Sequence, residues 1–306
     1  MRRIKLLITT GDFSRWVSPH FHYLLEELAR ITDLTIWHKS GDIRDIVKQL
    51  SLQPDFILIN EYGEKNSPKI SGLQSLTIPF GVYLHDLHYD IEQRKKALMN
   101  DKVQHIFSYY RDKFLHWFPE LSDRLRWLPH HVNTTEVYKD YGLKKEIDWL
   151  LMGATYSCYP LRNQMIKEME GKPGFVYHRH PGYRNYNEKD QEHFIGQRYA
   201  MEMNRAKMFL TCDSIFHYPL RKYYEVLACN TLLLAPSSNE LRDLGFIPGV
   251  HFAGVSEADF LDKAEYYLTH ESERKEIAKM GYDMVQSTHS TVKRAEQLVG
   301  MLRDIL

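Results

Sequence analysis

Short apolar runs recur along the chain, each followed by residues at helical spacing, and this alternation limits the fold more than any other feature. Ile4–Thr10, Leu34–Trp37, Asp55–Asn60, Ile78–Leu84, Gln104–Tyr109 and Leu125–Leu128 form a first series of runs. Within Ser18–Ile31, the residues Phe21, Leu24, Leu25, Leu28 and Ile31 share one helical face, and Ile43–Leu50 reads as the next helix. A second series starts afresh at Ile147–Met152 and continues at Gly174–His178, Met208–Cys212, Thr231–Ala235 and His251–Val255. Helices are expected at Tyr159–Met169, Glu188–Arg205, Lys222–Cys229, Glu257–Leu268, Glu271–Gln286 and Thr291–Leu306. Strands without a polar face must be covered on both sides, which is the mark of parallel sheets wrapped in helices. The expected class is therefore α/β, with two doubly wound, Rossmann-like domains.

Periodicity lapses and polar residues gather in Val132–Lys145, the expected linker. That divides the chain into residues 1–140 and 141–306, with the last helix free to pack back on the first domain. A length of 306 residues suits two domains at roughly 150 residues each. In doubly wound sheets ligands bind beyond the carboxyl ends of the strands, so the cleft between the domains is the expected site.

Forty Lys and Arg balance forty Asp and Glu. Without a basic surplus, no nucleic-acid partner is expected. Cys158, Cys212 and Cys229 are widely spaced and form no CxxC pair, which excludes a zinc ribbon or a disulfide framework. No apolar run approaches the ~18 residues of a membrane span. A cytoplasmic chain without a transmembrane segment is expected.

The stretch from His217 to Pro236 carries the most chemistry. It sets Arg221 and Lys222 at the start of a helix and Glu225 one turn on, ahead of a buried strand. Free N–H groups and positive charge at a helix start suit a diphosphate, and a carboxylate one turn in suits a ribose diol. The plain alternative is a solvated Arg-Lys pair with Glu225 in an i, i+4 pairing.

Lys222–Pro236, Asn239–Phe252, the helix around Gly281 and Ser287–Ala295 resemble the donor-binding half of the CgeB-like, spore-maturation glycosyltransferases, relatives of the retaining family 4 enzymes of GT-B fold. The resemblance is good over 153–302 and thinner before it. It implies a hexosyltransferase of GT-B fold that takes a nucleoside diphosphate sugar, a UDP-sugar foremost, and passes the hexose to a hydroxyl on a glycan, a lipid-linked or a protein acceptor. It implies a ribose contact for Glu225, no metal or other cofactor, and retention of anomeric configuration. Two positions depart from the pattern: His217 stands where the family has a second glutamate, and Asn230 where it has a glycine. Asn, like Gly, can take the left-handed backbone such a position requires.

Other residues complete the expected donor site. Gly153 opens the turn after the first strand of the second series, and Arg162 follows in its helix. Arg179 and His180 lie at the carboxyl end of the next strand, and His217 and Tyr218 lead into the Arg221 helix. In the first half, a buried strand delivers His85 and Asp86 to its carboxyl end, resembling the strand-end His-Asp of family 4 enzymes. One of the two is expected to act on the acceptor by proton exchange, the alternative being a turn histidine beside a helix-capping Asp. Two rival functions are a sugar-nucleotide-binding scaffold without turnover, suggested by His217, and a metal-dependent phosphohydrolase built on His85, Asp86, His88, Asp90, His130 and His131.

Overall fold

The computed structural model describes residues 2–63, 65–187 and 189–306. The chain forms two compact units. One takes in the residues up to Ser14, Phe21–Pro129 and Arg294–Leu306; the other takes in Arg15–His20 and His130–Lys293.

The first unit holds β1 (Lys5–Thr9), α1 (His20–Ile31), β2 (Asp33–Trp37), β3 (Gly41–Asp42), α2 (Ile43–Lys48), β4 (Phe56–Asn60), β5 (Ile70–Ser71), β6 (Phe80–Leu84), α3 (Ile91–Asn100), β7 (His105–Ser108), α4 (Arg111–Trp117) and β8 (Leu125–Trp127). Its main sheet runs β2-β1-β4-β6-β7-β8, and β3 pairs separately with β5. Every pairing is parallel; Ile8, for example, stands between Ile36 and Leu58. All five residues of β4 are buried, so both faces of this strand are covered, as its unbroken Phe-Ile-Leu-Ile run requires.

The second unit holds β9 (Ile147–Gly153), α5 (Pro160–Met169), β10 (Phe175–Arg179), α6 (Gly196–Asn204), β11 (Ala206–Leu210), α7 (Lys222–Ala228), β12 (Leu232–Ala235), α8 (Asn239–Asp243), β13 (Ala253–Gly254), α9 (Phe260–Thr269) and α10 (Glu271–Thr288). The last helix, α11 (Thr291–Ile305), starts in this unit and ends in the other. The sheet order is β10-β9-β11-β12-β13, again parallel throughout, with Leu150 between Val176 and Phe209. Successive connections run to opposite sides of β9, so the strand order reverses between β9 and β11. A crevice opens beyond the carboxyl ends at such a reversal, and this is where open α/β sheets bind ligands.

Two details show how tightly the sequence is read by the fold. Asn230 has φ 51°, in the left-handed region where a glycine also fits, and its amide donates to Asp140 at 2.8 Å. Gly281 on α10 passes so close to α7 and β13 that an added Cβ would lie 2.3 Å from the His251 carbonyl and 2.9 Å from Leu227.

Three boundaries differ from the sequence reading. The chain enters the second unit at His130 rather than at 141, because the polar stretch beyond it is bonded into that unit. Val132 N–H donates to His289 at 3.1 Å, Tyr141 N–H to the Asn204 side chain at 2.8 Å, and Lys145 Nζ to Ala206 O and Thr231 Oγ1 at 3.0 Å each. Residues 15–20 also belong to the second unit, where Val17 N–H donates to Arg184 O at 3.0 Å and Tyr186 N–H to Arg15 O at 2.8 Å. The helix expected from Glu188 begins only at Gly196. Glu188 lies outside the described residues; beyond it, the Asp190 carboxylate takes the N–H groups of Glu192 and His193 at 2.9 Å each and holds a turn in place of the first helical turns.

Candidate functional site

A pocket lies at the carboxyl ends of β9 and β10 in the second unit. Met152 and Gly153 close one side, His178 to Pro181 and Phe194 another, and Arg221, Lys222 and Glu225 of α7 line it with Tyr138, Tyr199, Val17 and Ser18. Its position at the reversal of strand order follows from the topology, and the residues there come from six separated stretches of chain.

Glu225 is 7% exposed, and its carboxylate accepts from the hydroxyls of Tyr138 at 3.5 Å and Tyr199 at 3.4 Å. Both are long contacts, which leaves lone pairs on each oxygen for a stronger donor. Lys222 Nζ donates to the Tyr199 hydroxyl at 2.9 Å and sits 5.4 Å from the centre of that ring. Burial brings the Lys222 amine down to about 8, opposed by Glu225 and aided by the positive charges of Arg162 and Arg221. Burial, with Glu225 beside it, holds the Tyr199 phenol well above its ordinary value. Arg221 donates to Ser18 Oγ and to His20 Nδ1.

Arg162 on α5 is 3% exposed, and its guanidinium is bonded to a main-chain carbonyl: Nη1 donates to Ala154 O at 2.8 Å. The ring of Tyr159 lies 4.0 Å below the guanidinium carbon, and Nε has no hydrogen-bond partner among the described residues. His180 records the same excess of positive charge. Burial, then Lys222, Arg221 and Arg162, push its imidazole down to about 4, so the ring is neutral at neutral pH. A buried cation bonded to a main-chain carbonyl, as Arg162 is, is stabilised by the approach of an anion.

The opening of α7 differs from expectation. The N–H groups of Tyr223, Tyr224 and Glu225 donate to Leu220 O and Arg221 O at 2.9–3.1 Å, so these three donors are already engaged. The helix has seven residues, too few for a large macrodipole. Arg221 and Lys222 bring positive side-chain charge to this end of the pocket.

The structure brings Gly153, Arg179, Arg221, Lys222 and Glu225 to the pocket wall. Arg162 lies directly behind Gly153: a Cβ there would stand 3.0 Å from Nη1 and 3.1 Å from the guanidinium carbon. Gly153→Ala is therefore expected to displace the guanidinium and weaken nucleotide binding several-fold while the protein still folds, measurable by calorimetric titration. His217 and Tyr218 are not brought in. His217 has a side chain 68% exposed, a left-handed φ of 55° and a 2.6 Å bond to Asp213, and Tyr218 is buried against Phe216. Sequence reasoning missed Ser18, Tyr138, His178 as a wall residue, Phe194 and Tyr199. His178 is held by the buried Glu202 at 2.9 Å and faces the Phe194 ring at 4.2 Å.

In the first unit, His85 and Asp86 do follow β6. His85 is part-buried, with Asn60 Oδ1 2.9 Å from Nε2 and Glu61 Oε1 3.0 Å from Nδ1. Asp86 is exposed, and its main-chain oxygen accepts from Arg94 at 2.5 Å. The capping alternative for Asp86 is not seen: Asp90 stands at the N-cap of α3, with φ 43° and no side-chain capping bond. Among the described residues no group of three or more His, Cys, Asp or Glu side chains is placed to hold a metal ion, and no helix is long and apolar enough to cross a membrane.

Comparison with known proteins adds a family and a fold. Residues 162–300 match the family described as glycosyl transferase-like. Among solved structures, sucrose-phosphate synthase from Thermosynechococcus elongatus is 13% identical with a TM-score of 0.66, over 99% of each chain. HepE from Anabaena, in complex with UDP-glucose, is 10% identical with a TM-score of 0.64, over 99% of this chain and 100% of that one. A glycosyltransferase from Rickettsia africae is 10% identical with a TM-score of 0.65, over 99% of this chain and 98% of that one. No curated protein matches the chain. At these identities the likeness establishes the fold, which is GT-B with two Rossmann-like α/β domains. Residues 162–300 are thus similar to a glycosyl transferase-like family, within a chain that has this fold.

Proposed function

We propose that the chain moves a hexose from a nucleoside diphosphate sugar, a UDP-sugar foremost, to a hydroxyl acceptor. The observation that carries this reading is the pocket's charge pattern. Arg162, Arg221 and Lys222 gather beside a single buried carboxylate, Glu225, at the reversal point of a parallel sheet. The cations suit a diphosphate, and Glu225 suits the ribose diol one helical turn away. Arg179 and Gly153 complete the wall. That HepE was solved with UDP-glucose supports a uridine donor.

In transfer, the bond between the anomeric carbon and the diphosphate oxygen breaks, and negative charge grows on the leaving diphosphate. Arg162, Arg221 and Lys222 are in place to stabilise that charge as it develops, which is the largest help a protein gives such a departure. A metal-independent reaction with retained anomeric configuration belongs to the proposal, as does the finer kinship with CgeB-like and family 4 enzymes. His85, and Asp86 next to it, are proposed to serve the acceptor. Three free thiols suit a reducing compartment, and a cytoplasmic location is proposed with them.

The first test is a thermal-shift panel of UDP, GDP, ADP, TDP and CMP, followed by assay of UDP release from UDP-glucose. A ligand at ~100 times its dissociation constant stabilises by about 2.7 kcal/mol, so the preferred nucleotide is expected to stand out. No shift with any of the five would end the donor reading. The position of His217, outside the pocket, favours one alternative: tight nucleotide binding with no turnover would make the chain a binding scaffold.

A further inference from the structure

A cavity in the second unit lies at the edge of the sheet opposite the donor pocket. Lys145 stands two residues before β9, Lys207 is the second residue of β11, and Asn230 stands two residues before β12, so all three mark the amino ends of strands. The other wall is one face of α10, where Glu271, Arg274, Lys275, Ala278 and Lys279 follow at helical spacing. The cavity measures about 520 Å³, inside the roughly 300–1,000 Å³ of small-molecule sites. Five of these eight lining residues are cations and one is an acid, which points to an anionic ligand.

Three of the cations already meet a carboxylate. Lys207 lies 2.6 Å from Asp148, Lys275 2.6 Å from Glu271 and Lys279 2.5 Å from Asp283. Lys145 and Arg274 make no ion pair among the described residues. Lys145 Nζ spends its three hydrogens on Asn204 O at 3.2 Å, Ala206 O at 3.0 Å and Thr231 Oγ1 at 3.0 Å. Asp140 is bonded elsewhere, to Gly142 N–H and the Asn230 amide at 2.8 Å each. Burial brings the Lys145 amine down to about 8, opposed by Asp140 and Cys229 and aided by Arg274.

Arg274 is 6% exposed, and its Nη1 donates to Tyr267 O at 2.5 Å and Leu268 O at 3.0 Å, near the end of α9. Those two bonds use both Nη1 hydrogens. Nε and Nη2 make no hydrogen bond among the described residues. They form the side-on edge of a guanidinium, whose paired N–H groups match two oxygens of one phosphate. Holding the carbonyls of α9 accounts for Nη1 and leaves this edge without a task.

We propose that this cavity binds a compact phosphorylated small molecule, with a phosphate on the Nε–Nη2 edge of Arg274, the charge of Lys145 behind it, and Lys275 and Lys279 on its α10 side. The site is independent of the proposed transfer reaction. The recessed position of Arg274 favours a small molecule over a membrane surface, which would meet only the outer lysines, 70% and 57% exposed.

Calorimetric titration of inorganic pyrophosphate into the full chain, with the donor pocket saturated by UDP, tests this. Wild type is expected to bind one pyrophosphate beside UDP. Arg274→Gln is expected to weaken that binding roughly tenfold or more, with UDP affinity within twofold. Because Arg274 also holds the end of α9, the exposed pair Lys275→Gln and Lys279→Gln serves as a second variant, expected to bind pyrophosphate several-fold more weakly and to fold as wild type does. No pyrophosphate bound beside UDP at millimolar concentration overturns the proposal. So does binding that neither variant weakens, or binding to phosphatidylcholine vesicles carrying phosphatidic acid with none to pyrophosphate. Should UDP itself fail to bind, the donor reading falls alone, and the dependence of pyrophosphate binding on Arg274 and the lysine pair still decides this site.

Discussion

Glu225→Ala is expected to weaken UDP binding roughly 10- to 150-fold, about 1.5–3 kcal/mol, the cost of losing hydrogen bonds to a charged acceptor. Among the described residues the carboxylate's hydrogen-bond contacts are two long ones, to Tyr138 and Tyr199, so its removal disturbs little of the fold. Circular dichroism and the denaturation midpoint are therefore expected to stay near wild type. The same substitution takes away the one negative charge that opposes Arg162, Arg221 and Lys222. Inorganic pyrophosphate should then bind the variant as well as, or better than, it binds the wild type. A carboxylate that merely balanced the neighbouring cations would instead affect UDP and pyrophosphate alike. Calorimetric titration with the two ligands separates the cases.

The second large effect is a pH dependence that belongs to Lys222. Its amine is brought down to about 8, mainly because burial disfavours the charged form. A bound diphosphate favours the charged form and raises that value. Below pH 8 the lysine is charged with or without ligand, and affinity is at its full level. Above pH 8 the empty protein has lost the proton that the complex needs, so affinity falls as pH rises, by at most tenfold per pH unit. UDP titrations from pH 7 to 9.5 are expected to show this decline. Lys222→Met is expected to bind UDP roughly tenfold or more weakly at pH 7 and to lose the slope. A wild-type affinity that stays flat to pH 9.5 contradicts the assignment. His180 adds no slope near neutrality, since burial and the same three cations keep its ring neutral down to about pH 4.

Local patterns in the sequence were enough for the elements and for the centre of the donor site. The strand runs were legible because parallel strands are buried on both faces; the four residues of β12, all Leu or Ala, are all buried. Glu225 and Lys222 were legible because charged residues one turn apart at the head of an apolar helix stand out. What stayed hidden was whatever depends on distant chain meeting in space. Tyr138 and Tyr199 flank Glu225 from 87 and 26 residues away, and Ser18 reaches Arg221 from 203 residues away. No spacing rule connects such residues. Glu61 was overlooked for a similar reason: it follows a strand as any turn residue does, and only the sheet order sets it against His85.

His217 stands apart from the pocket lining. Its place in the motif suggested a ligand contact, yet its left-handed backbone carries the side chain out to Asp213 and solvent. The misread start of α6 has a cause of the same kind. The run 188–195 holds no Gly or Pro to stop a helix, but Asp190 hydrogen-bonds to the N–H groups two and three residues ahead and holds a turn instead. Asn230 is the instructive success, since its φ of 51° is the conformation that reading an asparagine in place of a glycine anticipates.

The central claim is that Glu225 grips the ribose of a bound nucleotide, and a double-mutant cycle tests it most directly. UDP and 2′,3′-dideoxy-UDP would each be titrated into wild-type and Glu225→Ala protein. Loss of the two hydroxyls is expected to cost the wild type at least tenfold and the variant almost nothing, leaving a coupling of about 1.4 kcal/mol or more between carboxylate and diol. Equal losses in both proteins, and hence no coupling, would contradict it.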